Sequence, residues 1–193
     1  MTSVVIPSNA WIGEYAFSGC SSLTSIDIHL GAIRAGTFSG CSGLTSVVIP
    51  LGVTSIGEYA FSGCSGLTSI DIPSSVTDIG KAAFKDCSSL TSVYVSSDSP
   101  ASIGIGAFSG IDKTACTLYV PQGTKDDYWL SSWGDDFDNI EEYDVTGIDQ
   151  VADGDDVKEV SRYSVDGKRL DAPAKGLNIV KYSDGSVKKI AVQ

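Results

Sequence analysis

The chain has one histidine, His29, and one methionine in 193 residues. A metal site built on several imidazoles, or a Ser-His-Asp triad, would have to form around His29 alone, so hydrolytic and metalloenzyme chemistry is not expected. Cations are scarce too: 13 lysines and arginines stand against 24 aspartates and glutamates, a net charge of -11. Nucleic acids and anionic membranes both select for clustered cations, so neither is expected as a partner. No apolar run approaches the ~18 residues of a membrane span, and no membrane insertion is expected. The chain is nevertheless not poor in apolar residues. At 42% hydrophobic and 19% charged it can bury a core rather than remain disordered.

What the chain has in quantity is self-similarity. Five of its six phenylalanines stand at 17, 38, 61, 84 and 108, with spacings of 21, 23, 23 and 24 residues, which is a solenoid period. Around them the wording recurs as IGEYAFSGCSSLTSIDI at 12–28, IRAGTFSGCSGLTSVVI at 33–49, IGEYAFSGCSGLTSIDI at 56–72 and IGKAAFKDCSSLTSVYV at 79–95. A drifting copy, IGIGAFSGIDKTACTLYV, fills 103–120. The second copy is two residues short, since Ile28 to Phe38 spans ten residues where Ile49 to Phe61 spans twelve, so a turn is trimmed there.

Each copy alternates with period two, as in Leu23-x-x-Ile26-x-Ile28 and Leu67-x-x-Ile70-x-Ile72, which specifies one short strand per repeat with alternate side chains inward. Pro50, Pro73 and Pro121 end three of those strands, because proline has no amide hydrogen for a ladder. The segment Ile79-Gly80-x-x-Ala83-Phe84 is too short for a regular helix. It predicts a tight turn plus a helical turn that drives Phe84 into the centre. One coil cannot bury its apolar face alone, so stability must come from stacking neighbours.

The recurring Ile-Gly-x-x-Ala-Phe-x-x-Cys-x-x-Leu-x-x-Ile resembles the leucine-rich repeats of the BspA type, also called the Treponema pallidum type, over residues 4–120. The resemblance implies a right-handed solenoid with a parallel sheet on one face and short turns and helical turns on the other. In the last copy Ile111 replaces the repeat cysteine and Cys116 sits one register away, so stacking is expected to loosen there.

Past residue 120 the text changes. QGTKDDYWLSSWGDDFDNIEEYD places Tyr128, Trp129, Trp133, Phe137 and Ile140 at helix-like intervals broken by Gly134, as an amphipathic cap over the last coil would. Charge marks a further boundary: residues 1–110 carry net -4, 111–156 net -11 and 157–193 net +4. The expected plan is leucine-rich repeats over 1–120, a cap over 121–144, an acidic linker over 145–156 and a small antiparallel β domain over 157–193. Asp153, Asp155 and Asp156 in the linker lack the spacing and distal glutamate of an EF-hand and read as a solvated loop.

Beyond residue 160, alternating segments are separated by Asp166-Gly167 and Asp184-Gly185, a hairpin signal. Tyr163, Gly167, Lys175, Gly176, Ile179, Val180, Gly185, Lys188 and Val192 resemble the C-terminal sorting domain of the type IX secretion system, with Asn178 departing where an aromatic is usual. That resemblance implies export. The opening MTSVVIPSNAWIG reads as a piece of a repeat rather than as a basic and apolar leader, so Met1 is expected to be the start of a truncated stretch of a longer array.

Cys20, Cys41, Cys64 and Cys87 each stand three residues after a repeat phenylalanine. Zinc needs convergent ligands, whereas ladder positions run in a line and point the same way, so no metal or cofactor is expected and the thiols read as buried, unpaired packing groups. His29 takes the place held by Pro50 and Pro73 and reads as an exposed turn residue. The candidate binding face is the outward row Asp27, Val48, Asp71, Tyr94 and Tyr119, flanked by Thr24/Ser25, Thr45/Ser46, Thr68/Ser69 and Thr91/Ser92. Solenoids present such rows in register from a rigid backbone, which suits extended partners.

The reading is a non-enzymatic, monomeric adhesion or protein-interaction module, secreted or at the cell surface; the resemblance to BspA-type repeats implies extracellular or host surface proteins as partners. Two alternatives stay open: a scaffold or stalk for other domains, and a glycan-binding module using Tyr94, Tyr119, Trp129 and Trp133. Within the array, Phe61 is expected to matter more than Phe108, which lies beside the drifting copy.

Overall fold

The computed structural model describes residues 2–6, 12–28, 31–143, 159–164, 169–170, 176–182 and 187–192. His29, the linker 145–156 with its three aspartates, and the turns at Asp166-Gly167 and Asp184-Gly185 lie outside the described residues.

The chain divides into two compact units, Met1–Tyr143 and Asp144–Gln193. The first runs β1 (Ser3–Ile6), β2 (Ser25–Ile28), β3 (Ser46–Val48), β4 (Ser55–Ile56), β5 (Ser69–Ile72), β6 (Asp78–Ile79), β7 (Ser92–Val95), β8 (Ser102–Ile103), β9 (Thr117–Pro121), α1 (Lys125–Trp129) and β10 (Asn139–Tyr143). A seven-stranded sheet takes the order β1-β2-β3-β5-β7-β9-β10, parallel throughout. Alternation of apolar and polar residues turns one side of each strand inward: in β5, Ile70 and Ile72 are buried while Ser69 and Asp71 are half-exposed.

One strand per repeat proves too few. A second, three-stranded parallel sheet, β4-β6-β8, forms where each coil turns back toward its phenylalanine, and Ile33 adds a parallel bridge to Ile56. The recurring Ile-Gly wording explains why coils can approach so closely here. A Cβ on Gly57 would lie 2.6 Å from the amide nitrogen of Ala35, and one on Gly80 2.5 Å from that of Glu58, so any side chain would push two backbones away from each other.

The phenylalanine segments are turns rather than helix, and they also bond coil to coil. The amides of Phe17, Phe38, Phe61 and Phe84 donate to the carbonyls of Thr37, Ala60, Ala83 and Ala107 in the following coil. Amides two residues before and after each of these phenylalanines do the same, as Tyr59 to Lys81 and Gly63 to Lys85. Those flanking positions take positive φ: Tyr15, Tyr59, Ala82 and Asp86 accept the left-handed region at 53–58° without being glycine. Backbone polar groups are thus satisfied by stacking along the turn side as well as along the sheets.

The core is a column of rings. Phe17, Phe38, Phe61, Phe84 and Phe108 stack successively with centroids 5.6, 5.3, 5.4 and 5.0 Å apart. The loosening expected at the last copy is absent: the Phe84–Phe108 step is the shortest, and Ile111 and Cys116 are both buried. The cap continues the column, with Phe137 at 4.9 Å and Trp133 at 5.4 Å from Phe108. Only α1 of this cap is helical; the segment ends in β10, which pairs in parallel with β9 and so adds a strand to the long sheet. Glu142 on β10 accepts the amides of Gly123 and Lys125 at 3.0 and 3.1 Å, tying the start of α1 to that strand.

In the second unit, β11 (Glu159–Ser164), β12 (Arg169–Leu170), β13 (Gly176–Tyr182) and β14 (Val187–Val192) pair antiparallel in the order β12-β11-β13-β14. Arg162 and Asn178 are buried there, and the guanidinium donates to the amide oxygen of Asn178 at 3.3 Å.

Candidate binding face of the long sheet

Parallel pairing brings the five outward positions of the repeats into one row. Asp27 is the register partner of Val48, Val48 of Asp71, Asp71 of Tyr94, and Tyr94 of Tyr119. Two positions that sequence reasoning missed extend the row at its ends, Val5 opposite Asp27 and Glu141 opposite Tyr119. Val5 is 68% exposed. The signal for both was present in the alternation of SVVI and NIEEY, but neither segment carries the phenylalanine and cysteine that mark a repeat.

The aromatic end of the row is built. Tyr94 and Tyr119 stack at 4.5 Å with planes 9° apart, and Tyr143 meets Tyr94 edge-on at 5.9 Å while its hydroxyl donates to the carbonyl of Val95 at 2.8 Å. Three rings thus rise beside the short side chains of Asp71 and Val48. Burial pushes the Tyr143 phenol up to about 12, with the charge of Asp71 and the neighbouring Tyr94 adding to the effect. Burial also raises Tyr94, followed by Tyr119 and by the carboxylates of Asp71 and Glu141.

The flanking threonines have a structural use. The hydroxyls of Thr24, Thr68 and Thr91 donate to the carbonyls of Thr2, Thr45 and Thr68 in the preceding coil, at 3.0–3.2 Å. Thr54 and Thr77 repeat the arrangement beside the short sheet.

The cysteine ladder is directed inward. Cys41, Cys64 and Cys87 are buried and Cys20, in the first of these coils, is half-exposed; all are free thiols, as is the buried Cys116. Each buried ladder thiol lies 3.1–3.2 Å from the carbonyl of the preceding coil's phenylalanine: Cys41 on Phe17, Cys64 on Phe38, Cys87 on Phe61. Burial pushes Cys41 up to about 11 and Cys87 and Cys116 up to about 12, and raises Cys64 as well. Protonated, inward thiols are poor nucleophiles and poor metal ligands. Among the described residues no three His, Cys, Asp or Glu side chains converge as metal ligands would.

Of the cap aromatics weighed as a glycan platform, Trp133 is fully buried, with its indole nitrogen donating to the carbonyl of Ala101 at 2.9 Å. Tyr128 is buried as well and donates to the carbonyl of Ser97. Trp133 therefore drops out of that set, and Trp129, 52% exposed, remains outside the core.

Among the described residues no helix is long and apolar enough to cross a membrane. No curated protein matches the chain. A leucine-rich repeat protein from Bacteroides ovatus ATCC 8483, known from a crystal structure, is 30% identical with a TM-score of 0.59. The match covers 74% of this chain and 36% of that one, so the chain spans about a third of that protein. The model of the BspA type leucine rich repeat region matches residues 1–115 in six copies, one more than the five marked by phenylalanines. With more than half its length matched, and with the repeat phenylalanines, cysteines and strands stacked coil on coil, the chain belongs to the BspA type leucine-rich repeat family.

Proposed function

We propose that the chain is a non-enzymatic interaction module of a secreted or cell-surface protein, and that it binds extracellular or host surface proteins through the outward face of its long sheet. The observation that carries this reading is the in-register row from Val5 to Glu141. The strands of its five inner positions are paired on both sides, so a partner meets a backbone that is ordered before binding and loses little entropy in forming the complex. Buried thiols held protonated support the non-enzymatic reading.

Residues 157–193 are read as a small antiparallel β domain that serves export, on their resemblance to a type IX sorting domain. The single-chain solenoid, with its core closed by the cap, is read as a monomer.

The test presents the full chain to a panel of purified extracellular matrix and bacterial surface proteins on a biosensor. Val48→Lys, in the middle of the row, is compared with Lys85→Ala on the turn side. Saturable binding lost in the first and kept in the second is expected. No saturable binding by any protein of the panel, or equal binding by both variants, would overturn the reading and leave a stalk or scaffold. Glycan binding is a second reading, favoured by the exposed ring of Trp129 and the tyrosine pair. A glycan array signal that disappears in Trp129→Ala would support it.

A further inference from the structure

The outward row of the long sheet carries Asp27, Asp71 and Glu141 and not one lysine or arginine. The face is therefore acidic wherever it is charged. At its aromatic end, the order β5-β7-β9 sets one side of Tyr94 against Tyr119, while the other side of its ring is turned toward β5, where Asp71 is its register partner. Asp71 is much shorter than tyrosine, so the ring stands above the carboxylate like a wall above a step. Beyond the pair, Glu141 stands opposite Tyr119 and puts a second carboxylate on the far flank.

An aromatic ring with a carboxylate at its foot suits a planar cation. The ring's negative face attracts a cation within about 6 Å of its centroid. A planar guanidinium can lie flat on the ring while its edge donates to a carboxylate, which an ammonium cannot do as well. Tyr94 and Tyr119 already hold each other in place, so the wall is formed before the ligand arrives.

This inference rests on the proposed interaction role and narrows it. We propose that the Tyr94, Tyr119 and Tyr143 cluster, with Asp71 and Glu141, receives an arginine side chain from an extended segment of a partner protein. The guanidinium lies on the Tyr94 ring above Asp71, and further cations of the segment are drawn by Glu141 at the other flank.

The experiment titrates the full chain with three end-capped peptides of alternating threonine and a test residue, arginine, glutamine or glutamate, followed by calorimetry and by the aromatic resonances of Tyr94 and Tyr119. The arginine peptide should bind about tenfold or more tighter than the glutamine peptide, the glutamate peptide should not bind, and both tyrosines should shift. Affinity for the arginine peptide should fall as salt rises, because exposed charges are screened. Asp71→Asn, which keeps shape and removes only charge, should weaken it about five- to tenfold, and Tyr94→Leu at least as much. Melting curves of both variants establish that the sheet is intact.

Equal affinity for the arginine and glutamine peptides, or an Asp71→Asn variant that binds like the parent, would overturn the assignment. So would binding of an oligosaccharide, or concentration-dependent self-association, that the same variants abolish while the arginine peptide fails to bind. If the peptide fails but Val48→Lys still abolishes protein binding, the interface stands and only the arginine assignment falls.

Discussion

The ring of Phe137 meets that of Phe108 at 4.9 Å and 62°, so the last repeat phenylalanine is covered on both sides, by Phe84 below and by the cap above. Phe17, in the first of the phenylalanine coils, is only partly buried.

This geometry changes the order of importance along the column. Phe61→Ala and Phe108→Ala should each cost ~3–5 kcal/mol, because both open a cavity closed above and below. Phe17→Ala should cost about 1–2 kcal/mol, since its cavity opens to water. Urea denaturation of the three variants checks this. A Phe108 variant nearly as stable as the parent would show that the cap does not seal the column.

The thiols make stability depend on alkaline pH. A cysteine ordinarily titrates near 9.0, and in the fold Cys41 is pushed up to about 11 and Cys87 and Cys116 up to about 12. Below pH 9 both folded and unfolded chains keep these protons, so the thiols add no pH dependence. Above it the unfolded chain releases them first, and stability falls until the folded pKa is reached, by up to about 1.4 kcal/mol per pH unit for each thiol. Urea midpoints measured from pH 7 to about 11 should stay level and then drop. Replacing Cys41, Cys64 and Cys87 by alanine together should lower the midpoint at pH 7 and flatten the drop.

Redox state gives an independent check on the ladder. All five cysteines are free, so thiol titration of denatured, unreduced protein should find about five groups. In the native protein a small alkylating reagent should reach Cys20 first, because it alone of the five is not buried.

Close approach of coils predicts a sharp contrast between two glycines. Gly80→Ala would place a methyl 2.5 Å from the amide nitrogen of Glu58 and must drive neighbouring coils away from each other, at a cost of ~1–3 kcal/mol. Gly52 has nothing within 4 Å, so Gly52→Ala should be neutral or slightly stabilising. Equal melting temperatures for the two variants would contradict the packing argument.

Deleting residues 157–193 should leave the Tm of the repeats within a few degrees of the parent. The cap that covers Phe108 lies wholly before that segment, in residues up to Tyr143. Collapse of the transition would show that the C-terminal segment belongs to the solenoid's support.

Much of the array was legible because it depends on neighbours along the chain. A strand's side chains alternate whatever lies beside it, so Leu67, Ile70 and Ile72 announce their inward direction. The 23-residue spacing announces the stacking, and with it the columns of Phe38, Phe61 and Phe84 and of Cys41, Cys64 and Cys87. The row Asp27, Val48, Asp71, Tyr94 and Tyr119 follows from the same two periods.

Other features depend on which residues of different coils come side by side, and no local pattern contains that. The two-residue strand Asp78–Ile79 is too short to show a period and exists only because its neighbours lie at hydrogen-bonding distance. Trp129 and Trp133 look alike in the chain, yet docking of the cap on Phe108 buries one and leaves the other in water. Sequence by itself determined the coil, through alternation and period; only the tertiary structure decided what one coil does to the next, because burial and hydrogen bonding are settled by distance in space between residues far apart in the chain.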